Sequence, residues 1–120
     1  MPVTDRTDKE ILAIAVPMID MVVDACNRKD WEAFSAYQTE AEVKHPENKA
    51  NMLRVWDEIE LFSNLSLERE FIGVIRNDGI AQILWKQRSN KAGSEEYLAR
   101  YFIQEIEGEI KEVGFLISFF

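Results

Sequence analysis

The sequence predicts an α+β protein in which helices come first and an antiparallel meander follows. Three observations carry that expectation. Leu65 to Phe120 holds four β-rich runs separated by short turn signals. Asp78-Gly79 is the sharpest of these signals, because both central residues of a type I′ turn need positive φ. The residues before Leu65 carry apolar positions at helical spacing. Helices and strands are thus segregated along the chain, which indicates α+β and not alternating α/β.

The elements follow in order. Thr7-Asp8-Lys9-Glu10 has capping-box spacing, so a helix should run from there to about Arg28. Its apolar stripe, Ile11, Ile14, Met18, Val22 and Ala25, is widened by Leu12, Ile19, Val23 and Cys26. Pro17 lies inside and should bend the helix or split off its first turns. Asn27-Arg28-Lys29-Asp30 breaks the pattern, and Asp30 can N-cap a second helix from Trp31 to Gln38. Glu42-Val43-Lys44 alternates as a short strand would, and His45-Pro46 ends it. Pro46 then opens a third helix to about Phe62, with Met52, Trp56, Ile59 and Phe62 on its buried stripe. The four strands are expected at Leu65–Asn77, Ile80–Ser89, Glu95–Glu107 and Glu109–Phe119. The last two turns are expected at Asn90-Lys91-Ala92-Gly93 and Glu107-Gly108.

Register adds a second expectation. With a two-residue turn at Asp78-Gly79, Val74 faces Ile83, Ile72 faces Trp85 and Glu70 faces Gln87. Phe71, Gly73 and Ile75 then share the opposite face. In the last strand Val113, Phe115, Ile117 and Phe119 lie on one side, and Ile110, Leu116 and Phe120 on the other. Neither face is polar, whereas a half-exposed sheet alternates cleanly. Helices can cover one face. A second copy of the chain is the simplest cover for the other, so a homodimer through the outer sheet face is expected.

Composition narrows the function. At 120 residues the chain reads as one domain with a real core. A net charge of −8 argues against nucleic acid and against an anionic membrane surface. No apolar run approaches the roughly 18 residues needed to span a bilayer. Met1 to Glu10 is polar and does not read as a signal peptide, and the single cysteine, Cys26, cannot form an internal disulfide. A cytoplasmic protein is the expectation. There is no Gly-rich phosphate loop, nucleophile elbow or zinc motif, so neither cofactor nor metal is expected.

Two stretches carry a family resemblance. Asn27-Arg28-Lys29-Asp30-Trp31-Glu32-Ala33-Phe34 resembles an N-x-x-D-hydrophobic joint between two helices, and Ala41-Glu42-Val43-Lys44-His45-Pro46 resembles a short strand ending before proline. With the element order, these make the chain similar to the nuclear transport factor 2-like superfamily of ketosteroid isomerases and SnoaL-like cyclases. The resemblance implies a cone-shaped α+β domain, with three N-terminal helices packed on a curved sheet of four long strands plus one short strand. It departs where the isomerases do their chemistry. His45 stands where their proton-moving aspartate precedes the proline, and Met21-Val22-Val23 occupies the region of their oxyanion tyrosine. Glu47-Asn48-Lys49 replaces their glycine-rich stretch.

Several side chains are candidates for a site. His45, the only histidine, has a suitable unperturbed pKa for a general base, and the resemblance places it at the mouth of the cone. A surface histidine before a proline is the simpler account. Trp56, Trp85 and Tyr101, with Tyr97, could line an aromatic ligand cavity, although core packing explains the same spacing. Glu68 and Glu70 fall on the face of Trp85 in the expected register. Arg69 and Arg100 sit among apolar alternates, as a carboxylate clamp or as rim residues. Two functions stay open. One is non-catalytic binding of a small apolar molecule or a protein-interaction role. The other is an isomerase- or dehydratase-like enzyme with His45 as base.

Overall fold

The computed structural model describes residues 2–91 and 95–118. Four α-helices precede the sheet: α1 (Asp8–Arg28), α2 (Trp31–Phe34), α3 (Glu40–Lys44) and α4 (Pro46–Glu58), with 3-10 turns at Val3–Asp5 and Glu60–Ser63. The strands are β1 (Leu65–Asn77), β2 (Ile80–Ser89), β3 (Glu96–Ile106) and β4 (Glu109–Ser118). They pair antiparallel in the order β1-β2-β3-β4 as one open sheet. The fold is therefore α+β with a four-stranded meander. Ala92 and Gly93 of the expected second turn, and Phe119 and Phe120, lie outside the described residues.

Local chemistry explains the helices. The Thr7 hydroxyl accepts the Glu10 N–H at 3.2 Å and the Glu10 carboxylate accepts the Thr7 N–H at 2.9 Å, which starts α1. The helix continues through Pro17, which lies on its exposed side. It ends at Lys29, in the left-handed region at φ 55°, whose N–H satisfies the carbonyls of Ala25 and Cys26. Asn27 then ties helix to sheet. Its Nδ2 donates to the Leu65 carbonyl and its Oδ1 accepts the Leu65 N–H, both at 2.7 Å. Asp30 N-caps α2 by accepting the Ala33 N–H at 3.2 Å. The joint read in the sequence is thus a two-point clamp followed by a cap.

Two expectations are corrected here. Residues 42–44 form no strand. They belong to α3, which Thr39 and Glu42 start with a second capping box. Strand-like pairing near this segment reduces to one parallel bridge between Gln38 and Glu112, with the Glu112 N–H donating to the Tyr37 carbonyl at 2.7 Å. The helix count also rises from three to four. α2 stops at Phe34, and α4 stops at Glu58 because Ile59 is extended.

The sheet register is where the molecule departs most from a regular meander. Asp78 (φ 57°) and Gly79 (φ 78°) make the expected tight turn, as do Glu107 (φ 52°) and Gly108 (φ 81°). Val74 pairs with Ile83 as expected. Then β1 carries one extra residue, Ile72, so that Phe71 and not Ile72 pairs with Trp85, and Arg69 pairs with Gln87. This exchanges the faces. Phe71 and Arg69 turn toward the helices, while Glu68 and Glu70 are exposed and Glu70 pairs with Lys86 at 3.0 Å. A second extra residue, Val113 in β4, sits between Gly114 opposite Phe102 and Glu112 opposite Ile103. It moves Glu112 and Ile110 onto the face of Phe115 and Ile117.

The core lies between the helices and the inner sheet face. Ile11, Ala15, Met18, Ile19, Val22 and Cys26 of α1 are buried with Ala81, Ile83, Trp85, Ala99, Tyr101 and Ile103. Trp85 is its centre, stacked on Phe115 at 6.1 Å and tilted against Phe71 at 6.4 Å. Its indole N–H donates to Gln87 Oε1 at 2.9 Å, and Gln87 Nε2 donates in turn to the carbonyls of Ser66 and Arg88. The outer face keeps apolar groups in solvent, with Ile75 and Leu116 each 50% exposed. No helix among the described residues is long and apolar enough to cross a membrane.

Trp85→Ala should cost about 3–5 kcal/mol, since it empties the core centre and strands the Gln87 carboxamide. Urea denaturation measures this, and a loss below ~1 kcal/mol would contradict the packing described.

Candidate functional site

A buried polar cluster lies under the α2–α4 side of the sheet. Its centre is Glu112, which is 3% exposed. Two elements put it there. The Val113 bulge turns it inward, and the bond from its N–H to Tyr37 holds that part of β4 against the α2–α3 connection. Its carboxyl pKa is pushed up to about 7, first by burial and also by the negative charge of Glu42. The Tyr101 hydroxyl and the Gln38 amide lie beside the carboxylate and favour its charged form. Neither completes a hydrogen bond to Glu112 Oε1, which is buried without a partner.

The neighbours share that condition. The Tyr101 hydroxyl is buried without a hydrogen-bond partner, and so is Trp56 Nε1. Burial drives the Tyr101 pKa upward, and the Glu112 charge drives it further in the same direction. Cys26 is free and buried. Burial pushes its thiol up to about 12, opposed by the Trp56 N–H and reinforced by Glu112. At that value it is not a nucleophile near neutrality. Buried polar groups are normally paired, so a carboxylate, a phenol and an indole left open in one neighbourhood need a reason.

The cluster borders a cleft of about 280 Å³ between α4 and β4. Its polar lining comes from Gln38, Glu42, Asn48, Asn51 and Glu112, and its apolar lining includes Phe34, Met52, Val55 and Phe115. Asn48 fixes the cleft's end. Its Nδ2 donates to Gln38 Oε1 and to the Glu42 carbonyl, each at 2.8 Å. That leaves the Gln38 amide protons on the Glu112 side.

The residues singled out in the sequence fall in different places. His45 is exposed, and its Nδ1 accepts the Glu47 N–H at 3.2 Å as the N-cap of α4. It borders a surface depression with Ala41, Glu42 and Asn48, and among the described residues no carboxylate or phenol is hydrogen-bonded to it. Trp85 is sealed in the core with its N–H satisfied. Trp56 and Tyr101 are buried core residues as well, but their polar atoms belong to the Glu112 cluster. Arg100 packs on the outer face, with Nε buried and unpartnered. Arg69 is on the inner face, its side chain 5% exposed, 2.7 Å from Asp20 and 5.9 Å over the Trp85 ring. Glu112 and Gln38 were not singled out in the sequence. No group of three or more His, Cys, Asp or Glu that could hold a metal occurs among the described residues. Comparison with protein-family models, curated proteins and solved structures finds no match.

The Glu112 shift makes a signed prediction. Its folded pKa of about 7 lies above the ordinary 4.5, so the folded state holds the extra proton between those values. Stability from this group is therefore full at low pH and lost as pH rises from about 4.5 to about 7. The loss is on the order of 3 kcal/mol by the usual conversion. Glu112→Gln should accordingly raise Tm at pH 8 and make little difference at pH 4.5. Thermal unfolding across that range tests it, and an equal effect at both ends would refute it.

Proposed function

We propose that the protein binds a small molecule in the α4–β4 cleft, with an apolar body against Phe34, Met52 and Phe115 and a polar head at Glu112. The observation that carries this reading is the unpartnered, buried Oε1 of Glu112 in a residue that lines a cleft of about 280 Å³. A buried acceptor without a partner costs about 1–3 kcal/mol, and a ligand donor would recover it. The sequence resemblance to the nuclear transport factor 2-like superfamily supports the same reading, with a cone-shaped domain whose interior holds ligand. The resemblance covers element order and two short motifs. Such folds host binders, enzymes and interaction modules alike, so the function rests on the cleft and not on the fold.

Proton transfer is the second reading. It is favoured by a carboxyl titrating near neutrality beside a phenol with a free hydroxyl. In that reading Glu112 takes the role first considered for His45, because His45 is exposed and engaged as a helix cap. The proposed assembly is a homodimer through the outer sheet face, where Ile75, Leu98 and Leu116 are exposed. The proposed compartment is the cytoplasm, on the strength of the single, free and buried Cys26.

A fragment panel read by ¹H–¹⁵N NMR tests the binding reading. Fragments with an apolar ring and one polar group should move resonances of Gln38, Asn51 and Gly114. Asn51→Trp, at an exposed lining position, should block them while leaving the fold intact. If no fragment moves those resonances in the folded protein, the cleft is not a ligand site.

Sedimentation at micromolar concentration should give about twice the chain mass. A monomer throughout, with Leu116→Lys causing no change, would remove the dimer.

A further inference from the structure

The charge inventory of the cleft is one-sided. Two carboxylates line it, Glu42 and Glu112, and among the described residues no Lys or Arg does. The like charge of Glu42 raises the Glu112 pKa, so the two carboxyls already compete for negative charge. Glu42 is held in place by its helix cap, its Oε1 accepting from the Thr39 hydroxyl at 2.9 Å. It cannot move off without opening α3. Arg54 is a basic group near the rim and is already committed. Its Nη2 donates to Asn51 Oδ1 at 2.6 Å and its Nη1 lies 3.5 Å from Glu58. His45 borders only the adjoining depression and accepts the Glu47 N–H through Nδ1. Glu112 therefore sits without a cation, 3% exposed and with Oε1 unpartnered.

The remaining polar lining points the same way. Asn48 uses its amide protons on Gln38 and on the Glu42 carbonyl, which leaves its own oxygen as the free end. Phe34 and Phe115 supply aromatic surface, which attracts cations through the ring quadrupole. Met52 and Val55 make the rest of that wall apolar. A bare divalent metal does not suit the site, since such ions take about six or more oxygen ligands and no cluster of three acidic or metal-ligating side chains occurs among the described residues. An anionic ligand would meet two carboxylates and no counter-charge.

We propose that the ligand of this cleft is an organic cation, an amine or ammonium on an apolar body, whose charge pairs with Glu112 and Glu42. This rests on the reading of the cleft as a ligand site and names the class that site selects. The cation supplies the missing donor to Glu112 Oε1 and relieves the repulsion between the two carboxyls. Its apolar body takes the Phe34–Met52–Phe115 wall. Tyr101, Tyr37 and the Cys26 thiol from α1 are the other titratable groups near Glu112, and burial pushes the Tyr101 phenol and the Cys26 thiol up, so neither of those two carries charge near neutrality.

The test is a matched series in 150 mM salt: cyclohexylammonium, cyclohexanol and cyclohexanecarboxylate, titrated into the full chain at pH 8 and followed by NMR shifts at cleft residues. The ammonium should bind at least about tenfold tighter than the alcohol, and the carboxylate should not bind. Lowering the pH to 5.5 should weaken the ammonium and leave the alcohol unchanged, because Glu112 then holds its proton. Glu112→Gln should bring the ammonium down to the level of the alcohol. Glu42→Gln, which can keep the capping box, should do so in part and serves if the first variant does not fold. Alcohol or carboxylate binding as tightly as ammonium would overturn the cation class and leave the cleft as a ligand site. Ammonium shifts scattered over the acidic surface and insensitive to both variants would overturn it too. Silence from all three probes would overturn both readings together.

Discussion

Side chains on a strand alternate between faces, and one extra residue exchanges them. The interior of this protein depends on that rule being broken twice. Without Ile72 as an added residue in β1, Glu68 and Glu70 would face the helices and Arg69 would face solvent. Were Val113 a regularly paired residue of β4, Val113 and Lys111, and not Glu112, would point inward. These two face-exchanging bulges lie in the two edge strands of the sheet, where an added residue disturbs only one ladder, and a further register shift between Leu65 and Arg69 in β1 leaves both of those residues on the inner face. Each delivers an ionisable side chain to a dry interior. The chemistry of the molecule is thus set by backbone parity before any side-chain contact is considered.

The two delivered charges are handled differently. Arg69 has a counter-ion, because its Nη1 meets Asp20 at 2.7 Å and its guanidinium lies over Trp85. Trp85 in turn is held by Gln87, which is anchored on two carbonyls. Asp20 is half exposed, so the pair reaches water through one partner. Glu112 has no such arrangement. Its neighbours are a phenol, a carboxamide, a thiol and a second carboxylate, and none brings positive charge. Burial then moves the proton onto the carboxyl near neutrality instead of leaving a bare charge inside.

Much of the fold was legible in the sequence, and the reasons are local. Thr7 to Glu10 started α1, Asp30 capped α2, Pro46 opened α4, and Asp78-Gly79 fixed the first hairpin. α3 was missed, although Thr39-Glu40-Ala41-Glu42 repeats the spacing of Thr7-Asp8-Lys9-Glu10. The alternation at Glu42-Val43-Lys44 suggested a strand, but three residues are too few to outweigh a capping box that satisfies two orphan N–H groups. The site itself was not read, because a bulge changes the face of every residue beyond it and Ile72 and Val113 look like ordinary strand residues. A signal was present in the lone glycines beside them. Gly73 follows Ile72 and Gly114 follows Val113, and a single glycine within a strand pattern marks a bulge or a close approach. At Gly114 a Cβ would come 2.9 Å from Phe102 Cδ1, so any side chain there would force the Phe102 ring to shift.

An interior built only for stability would not keep this cluster. Apolar residues of similar volume usually match or exceed a buried ionisable group in stability. Here Glu112 Oε1, the Tyr101 hydroxyl and Trp56 Nε1 are all buried without partners. Each forgoes a hydrogen bond that it had in the unfolded chain. A mutual network would relieve them, but the nearby Gln38 is tethered on its other side by Asn48, and Tyr101 is fixed by the packing of its ring edge-on to Phe115 at 6.1 Å. The groups lie close together without completing hydrogen bonds at Glu112 Oε1, the Tyr101 hydroxyl or Trp56 Nε1, and Glu112 lines the cleft. The ligand proposed for the cleft would supply the partner that Glu112 Oε1 lacks.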